Sequence, residues 1–221
     1  MIKAAIFTYL LTLTTLTSTA NSGINSELDL LKQQSSESAV VFVGDSRTVG
    51  MKNTVYDAID KDNEFFIAES GQGYSWLKNT AIPNLRTTIS SHSEITDWTI
   101  VTNLGVNDPD DAEKYVKAYK AFMDDMNNRQ QSVKMYVISI NPVDEDKCKS
   151  ITNDEIEQSN RVFEQAFDDY DNIRYIDSNT YVKSILATTD GLHYTESTYR
   201  SIYKYILKSI SGWESSEKIL A

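Results

Sequence analysis

Cysteine is almost missing from this chain: Cys148 is the only one in 221 residues, so no internal disulfide can form. It lies in the charged segment Asp144-Glu145-Asp146-Lys147-Cys148-Lys149, with no histidine or second cysteine near it in sequence. A structural zinc site or a thiol nucleophile is therefore not expected there. Histidine is nearly as scarce, with only His92 and His193. No His, Cys and carboxylate cluster has zinc-ligand spacing, so neither a metal nor a cofactor is expected. Basic charge is short as well. Lys and Arg number 21 against 32 Asp and Glu, a formal net charge of −11. Such a chain is poorly suited to nucleic acid or to an anionic membrane surface, and better suited to a neutral or cationic substrate. Apolar runs are short too. The longest covers residues 4–16, less than the roughly 20 residues that a bilayer span requires.

What is present begins with Met1-Ile2-Lys3, a basic start, then the apolar stretch and the small residues Ser18-Thr19-Ala20. This is the pattern of a secretory signal peptide over 1–20, cleaved after Ala20. It predicts an extracellular protein with no stable membrane insertion. Residues 21–38 form a polar leader rich in Ser, Gln and Glu, and 39–221 form one domain without repeats or low-complexity tracts. Short apolar runs at 39–43, 65–68, 98–104, 133–140 and 173–176 read as strands. Helical patterns lie between and after them, at 48–59, 76–91, 111–127, 153–169 and 195–210. Pro83 either kinks the second helix or starts its regular part. Strands alternating with helices predict an α/β fold with a parallel sheet covered on both faces.

Catalytic groups in such folds gather in the loops at the carboxyl ends of the strands. Gly44-Asp45-Ser46-Arg47 follows the first strand and places a serine at a strand-to-helix turn, close to free backbone N–H groups. The same tetrapeptide also suits a simple helix cap. A serine hydroxyl needs a neighbouring base. Between two histidines, His92 sits among serines at a polar helix end and reads as a solvated surface residue. His193 follows Asp190 by three residues, so a carboxylate is at hand to orient the imidazole. Oxyanion donors are available from the Asn107 side chain, from Ser46 N–H, and from the N–H of Gly73 or Gly71. Turn-forming roles account for those residues equally well.

Gly44-Asp45-Ser46, the glycine loop, Gly105-Val106-Asn107-Asp108 and Asp190-Gly191-Leu192-His193 together resemble blocks I, II, III and V of the SGNH (GDSL) hydrolases, in the family's order. The resemblance implies a three-layer α/β/α flavodoxin-like sandwich around a parallel sheet of about five strands. It implies ester hydrolysis with Ser46 as nucleophile, His193 as base and Asp190 as its orienter. It implies an oxyanion hole from Ser46 N–H, Asn107 and a glycine N–H, Gly73 by its spacing to Ser75, with Gly71 as the alternative. The longer stretches 43–51 and 71–76 are similar to a secreted subgroup from Gram-positive bacteria, which implies removal of short acyl groups, acetyl above all, from carbohydrate or cell-wall polysaccharide. Arg47, Tyr74, Trp76 and Tyr194 flank the expected site. Arg47 either meets a polar substrate group or pairs with a carboxylate, and the three aromatic rings either stack on a sugar or pack in the core. A lipase, thioesterase or lysophospholipase on the same scaffold, and a glycan-binding module without turnover, are the alternative readings.

Overall fold

The structure, a computed structural model, describes residues 38–220, with side chains described through residue 212. The expected signal peptide, and all but the last residue of the expected leader, lie outside the described residues. The short apolar runs form five strands: β1 Ser38–Gly44, β2 Glu64–Ala68, β3 Asp97–Asn103, β4 Ser132–Ile138 and β5 Ile173–Ile176. All pair in parallel, in the order β2-β1-β3-β4-β5. The helices are α1 Ser46–Val55, α2 Ile82–Ser91, α3 Ala112–Asn128, α4 Asn153–Phe167, α5 Ser178–Lys183 and α6 Glu196–Leu220.

Side chains alternate along each strand, so β1 feeds two separate cores. Val41 and Val43 pack with Leu85 of α2, Tyr115 and Phe122 of α3, and Phe163 of α4. Phe42 points the other way, among Met51 and Val55 of α1 and Tyr203 and Ile206 of α6. The result is a three-layer α/β/α sandwich, as the sequence pattern and the resemblance led one to expect.

Several element limits differ from the sequence expectation. Helix α1 starts at Ser46 rather than residue 48, because Asp45 Oδ1 accepts the Arg47 N–H at 2.9 Å and caps it. The pattern at 76–91 is one continuous rod with a defect in it. A turn at Tyr74–Trp76 leads into a π-helical stretch at Leu77–Ala81 before α2 becomes regular. Pro83 sits in the first turn of α2 and so starts its regular part. Helix α5 was not foreseen, since six residues are too few for a helical period to show. Its cap, Asp177, accepts the Thr180 N–H at 3.0 Å. Helix α6 runs to Leu220, past the expected end at 210.

Strand β1 has β2 on one side and β3 on the other, so the chain reverses direction across the sheet at β1. The crevice outside the carboxyl ends of β1 and β3 is therefore the switch point, where open parallel sheets bind ligands. In register, Gly44 stands opposite both Ala68 and Asn103. The loops that follow β1, β2 and β3 thus open side by side.

Candidate active site

The site starts at Gly44. A Cβ there would lie 1.9 Å from Thr48 Oγ1 and 2.6 Å from the Asn103 carbonyl oxygen. Only glycine lets α1 begin so close to the strand end. Ser46, the first residue of α1, is half-buried at the switch point. Asp45 before it is buried at 1% exposure. Burial pushes its carboxyl up to about 6, although the Arg47 charge and the Arg47 N–H both act to lower it.

That shift makes a stability prediction. The folded chain holds the Asp45 proton up to about pH 6, whereas the ordinary value is 3.8. The folded state binds more protons between these limits, so this contribution to stability is full below about pH 4 and falls as pH rises toward 6. Two pK units correspond to about 3 kcal/mol. Asp45→Asn keeps a capping oxygen and removes the buried charge. Urea unfolding of the variant is expected to lack this decline, leaving it more stable than wild type by up to about 3 kcal/mol at neutral pH. Parallel pH profiles of the two proteins would contradict it.

The loop carrying His193 is wound around Asp190. Its Oδ1 accepts the N–H groups of Leu192 and His193 at 2.9 and 2.7 Å, and Oδ2 lies 2.7 Å from His193 Nδ1. Partial burial raises the Asp190 carboxyl, but the hydrogen bonds from His193 and Leu192 outweigh it and hold the group down at about 2. An ionised carboxylate can only accept, so Nδ1 carries the imidazole proton. His193 Nε2 is then an acceptor, and Ser46 Oγ lies 2.9 Å from it. Serine, imidazole and carboxylate form one hydrogen-bonded chain across residues 147 positions apart in sequence. Its outer end is open to water, with the side chains of His193 and Asp190 36% and 55% exposed.

Arg47 is what draws the loops together. Its guanidinium donates to the carbonyl oxygens of Leu192 at 3.1 Å and Asn141 at 2.7 Å, and it lies over the Tyr194 ring at 4.9 Å. At 1% exposure it is unavailable to a substrate, and backbone carbonyls take the place of the expected ion pair. The substrate-contact reading of Tyr194 is corrected for the same reason. That ring is 3% exposed, and its hydroxyl donates to the Pro142 carbonyl at 2.6 Å. Both residues are struts under the site. Asn141, which sequence reasoning passed over, is the third, its Oδ1 accepting from Ser178 at 2.7 Å.

Loop 69–73, after β2, meets loop 104–108, after β3. Asn107 is exposed, and its Nδ2 donates one N–H to the Gln72 carbonyl at 2.8 Å. This bond orients the amide and leaves its second N–H. The glycines differ sharply. A Cβ on Gly73 would lie 2.3 Å from Asp108 Oδ2, so Gly73 is glycine to admit the aspartate. The Gln72 carbonyl is turned to Asn107, and across a trans peptide the Gly73 N–H points the opposite way. Around Gly71, at φ +74°, a Cβ would meet nothing within 4 Å. Gly71 thus borders open space, while the space beside Gly73 is filled by Asp108.

Tyr74 and Trp76 are half-buried on the rim. Tyr74 packs edge-on against Tyr115 at 5.6 Å, and Trp76 Nε1 donates to Glu69 Oε2 at 3.1 Å. His92 lies far from this edge, at the end of α2, and is not the solvated residue expected. Its Nδ1 is 2.8 Å from the Thr88 carbonyl, and its ring packs on Phe65 and Trp98 at 4.8 and 6.2 Å. Cys148 is buried in a packed turn, its N–H donating to the Asp144 carbonyl at 2.8 Å. That turn carries the His193 loop, since Asp144 N–H donates to the Gly191 carbonyl at 2.9 Å. Among the described residues no group of three metal-ligating side chains exists, and no helix is long and apolar enough to cross a membrane.

No protein-family model matches this sequence, and no curated protein matches it. Solved structures do. The C-terminal catalytic domain of peptidoglycan O-acetyltransferase A from Streptococcus pneumoniae superposes with a TM-score of 0.59 at 16% identity, over 80% of this chain and 95% of that one. A GDSL-like lipase from Bacteroides thetaiotaomicron gives 0.58 at 18% identity, over 80% and 89%. An acetylxylan esterase from Geobacillus stearothermophilus gives 0.53 at 13%, over 79% and 96%. At such identities what is shared is the fold. The chain has the fold of the SGNH (GDSL) hydrolases, whose structural neighbours here are esterases, acylhydrolases and an O-acetyltransferase.

Proposed function

We propose that the chain is a secreted serine esterase of SGNH/GDSL type that removes short acyl groups, acetyl above all, from carbohydrate. The observation that carries this reading is the hydrogen-bonded chain from Ser46 Oγ to His193 to Asp190 at the switch point. In this reading Ser46 Oγ attacks the ester carbonyl while His193 Nε2 takes its proton. The oxyanion is met by Ser46 N–H, the free N–H of Asn107 and the N–H of Gly71. His193 then returns the proton to the departing alcohol, leaving an acyl-serine. Water, activated by the same imidazole, releases the acid and restores Ser46. Asp190 stays ionised throughout and stabilises the imidazolium.

Two features support a small neutral ester. Asp45 directly precedes the serine and Asp190 holds its base, and Arg47 is fully engaged with backbone carbonyls. An anionic leaving group would meet this field without a counter-charge. The outer end of the triad is open, which suits hydrolysis by water and a bulky alcohol better than a long acyl chain needing an apolar tunnel. Trp76 and Tyr74 on the rim offer rings for a sugar face.

The test is a panel: nitrophenyl acetate and octanoate, acetylated xylan and acetylated peptidoglycan, with released acid or phenol measured. The acetyl ester is expected to have the higher kcat/KM, and a neutral acetylated glycan to release acetate. An octanoyl preference would favour the lipase reading. Absence of turnover together with glycan binding would favour the binding module.

A further inference from the structure

We infer that Asp108 is a positioning residue that sets the oxyanion donors of this site, a role that rests on the esterase reading above. Loop 69–73 has no regular secondary structure, yet it must hold a backbone N–H within a few tenths of an ångström of where charge develops. At its start Glu69 N–H donates to the Gly44 carbonyl at 3.1 Å, and at its end the Gly73 carbonyl accepts from Leu77 N–H at 3.0 Å. Between these points it is gripped by two consecutive residues of the loop after β3. Asn107 Nδ2 holds the Gln72 carbonyl, and Asp108 Oδ2 accepts the Tyr74 N–H at 2.6 Å. The aspartate also occupies the space left by the missing Gly73 side chain.

Asp108 is itself anchored from below. Its Oδ1 accepts from the Tyr115 hydroxyl at 2.7 Å, and Tyr115 is fully buried on α3 against Tyr119 and Phe163. A rigid path thus runs from the core through Tyr115 and Asp108 to the glycine loop. A carboxylate this near an oxyanion would oppose it, but both its oxygens face donors, which absorb the charge. The gain is in geometry, where a misplacement of about 1 Å costs about 10²-fold in rate.

The test is steady-state kinetics on nitrophenyl acetate with thermal unfolding, for wild type, Asp108→Asn, Tyr115→Phe, Asn107→Ala and the Asp108→Asn/Asn107→Ala double variant. Asp108→Asn turns an N–H toward one of the two donors. It is expected to lower kcat about 10²-fold with KM within about threefold. Tyr115→Phe frees the aspartate without removing it and is expected to lower kcat about tenfold, again at nearly constant KM. In the Asn107→Ala background, the Asp108→Asn loss is expected to shrink severalfold, because both residues grip one loop. Should Asp108→Asn fail to fold, Tyr115→Phe decides: an unchanged kcat per folded molecule overturns the inference. A lowered melting temperature with unchanged kcat, or fully multiplicative losses in the double variant, overturns it as well. Wild-type protein that hydrolyses no ester and takes no fluorophosphonate at Ser46 overturns the esterase reading, and this inference with it.

Discussion

Ser46→Ala is expected to lower kcat/KM on an acetyl ester by about 10⁴-fold or more while leaving the fold intact. The hydroxyl is the only atom the serine places 2.9 Å from His193 Nε2, so nothing else in the site can take over its chemistry. Loss of fold is not expected, because Asp45 rather than Ser46 caps α1. Fluorophosphonate labelling and peptide mapping check the assignment, with circular dichroism and Tm as controls. Wild type is expected to carry the label at Ser46, and the variant to carry none. A label on a different serine, or an active variant, would remove Ser46 from the mechanism.

His193→Ala is expected to be nearly as damaging, about 10⁴-fold or more, since the serine then has no base and the leaving alcohol no acid. The loop should survive the change, because Asp190 also holds the backbone N–H groups of Leu192 and His193, and Arg47 holds the Leu192 carbonyl. His92→Ala supplies the contrast. That ring packs on Phe65 and Trp98 and reaches a carbonyl at the end of α2, so its loss is expected to cost about 1 kcal/mol of stability and no activity. Measuring kcat/KM and Tm for both variants separates the two histidines. If His92 proved essential for turnover, the role given to His193 would be wrong.

Arg47 shows why some residues were misread. An arginine beside a serine at a loop edge was expected either to meet a polar substrate group or to pair with a carboxylate. Its partners are carbonyl oxygens of residues 141 and 192, which carry no mark in the sequence. Tyr194 was ambiguous for a related reason, as an aromatic ring serves a core and a sugar face alike. Asp108 entered the sequence reading only as the last residue of Gly105-Val106-Asn107-Asp108, because its bonds to Tyr74 and Tyr115 cross between loops and layers.

The sequence by itself determined the strands, most helices and the loops that carry chemistry. Those follow from local physics: β-branched apolar runs, helical spacing, and glycines at strand ends all act within a few residues. Scarcity did the rest, since two histidines leave little choice of base. Only the tertiary structure decided that Ser46 Oγ meets His193 Nε2, that Asp45 is buried and Arg47 spent on carbonyls, and that the open space lies at Gly71 while Gly73 makes room for Asp108. Each of these depends on which loops the parallel register of β1, β2 and β3 brings to one edge, and on how α3 packs beneath them. Distances across that edge are set by long-range packing, which no local pattern of residues encodes.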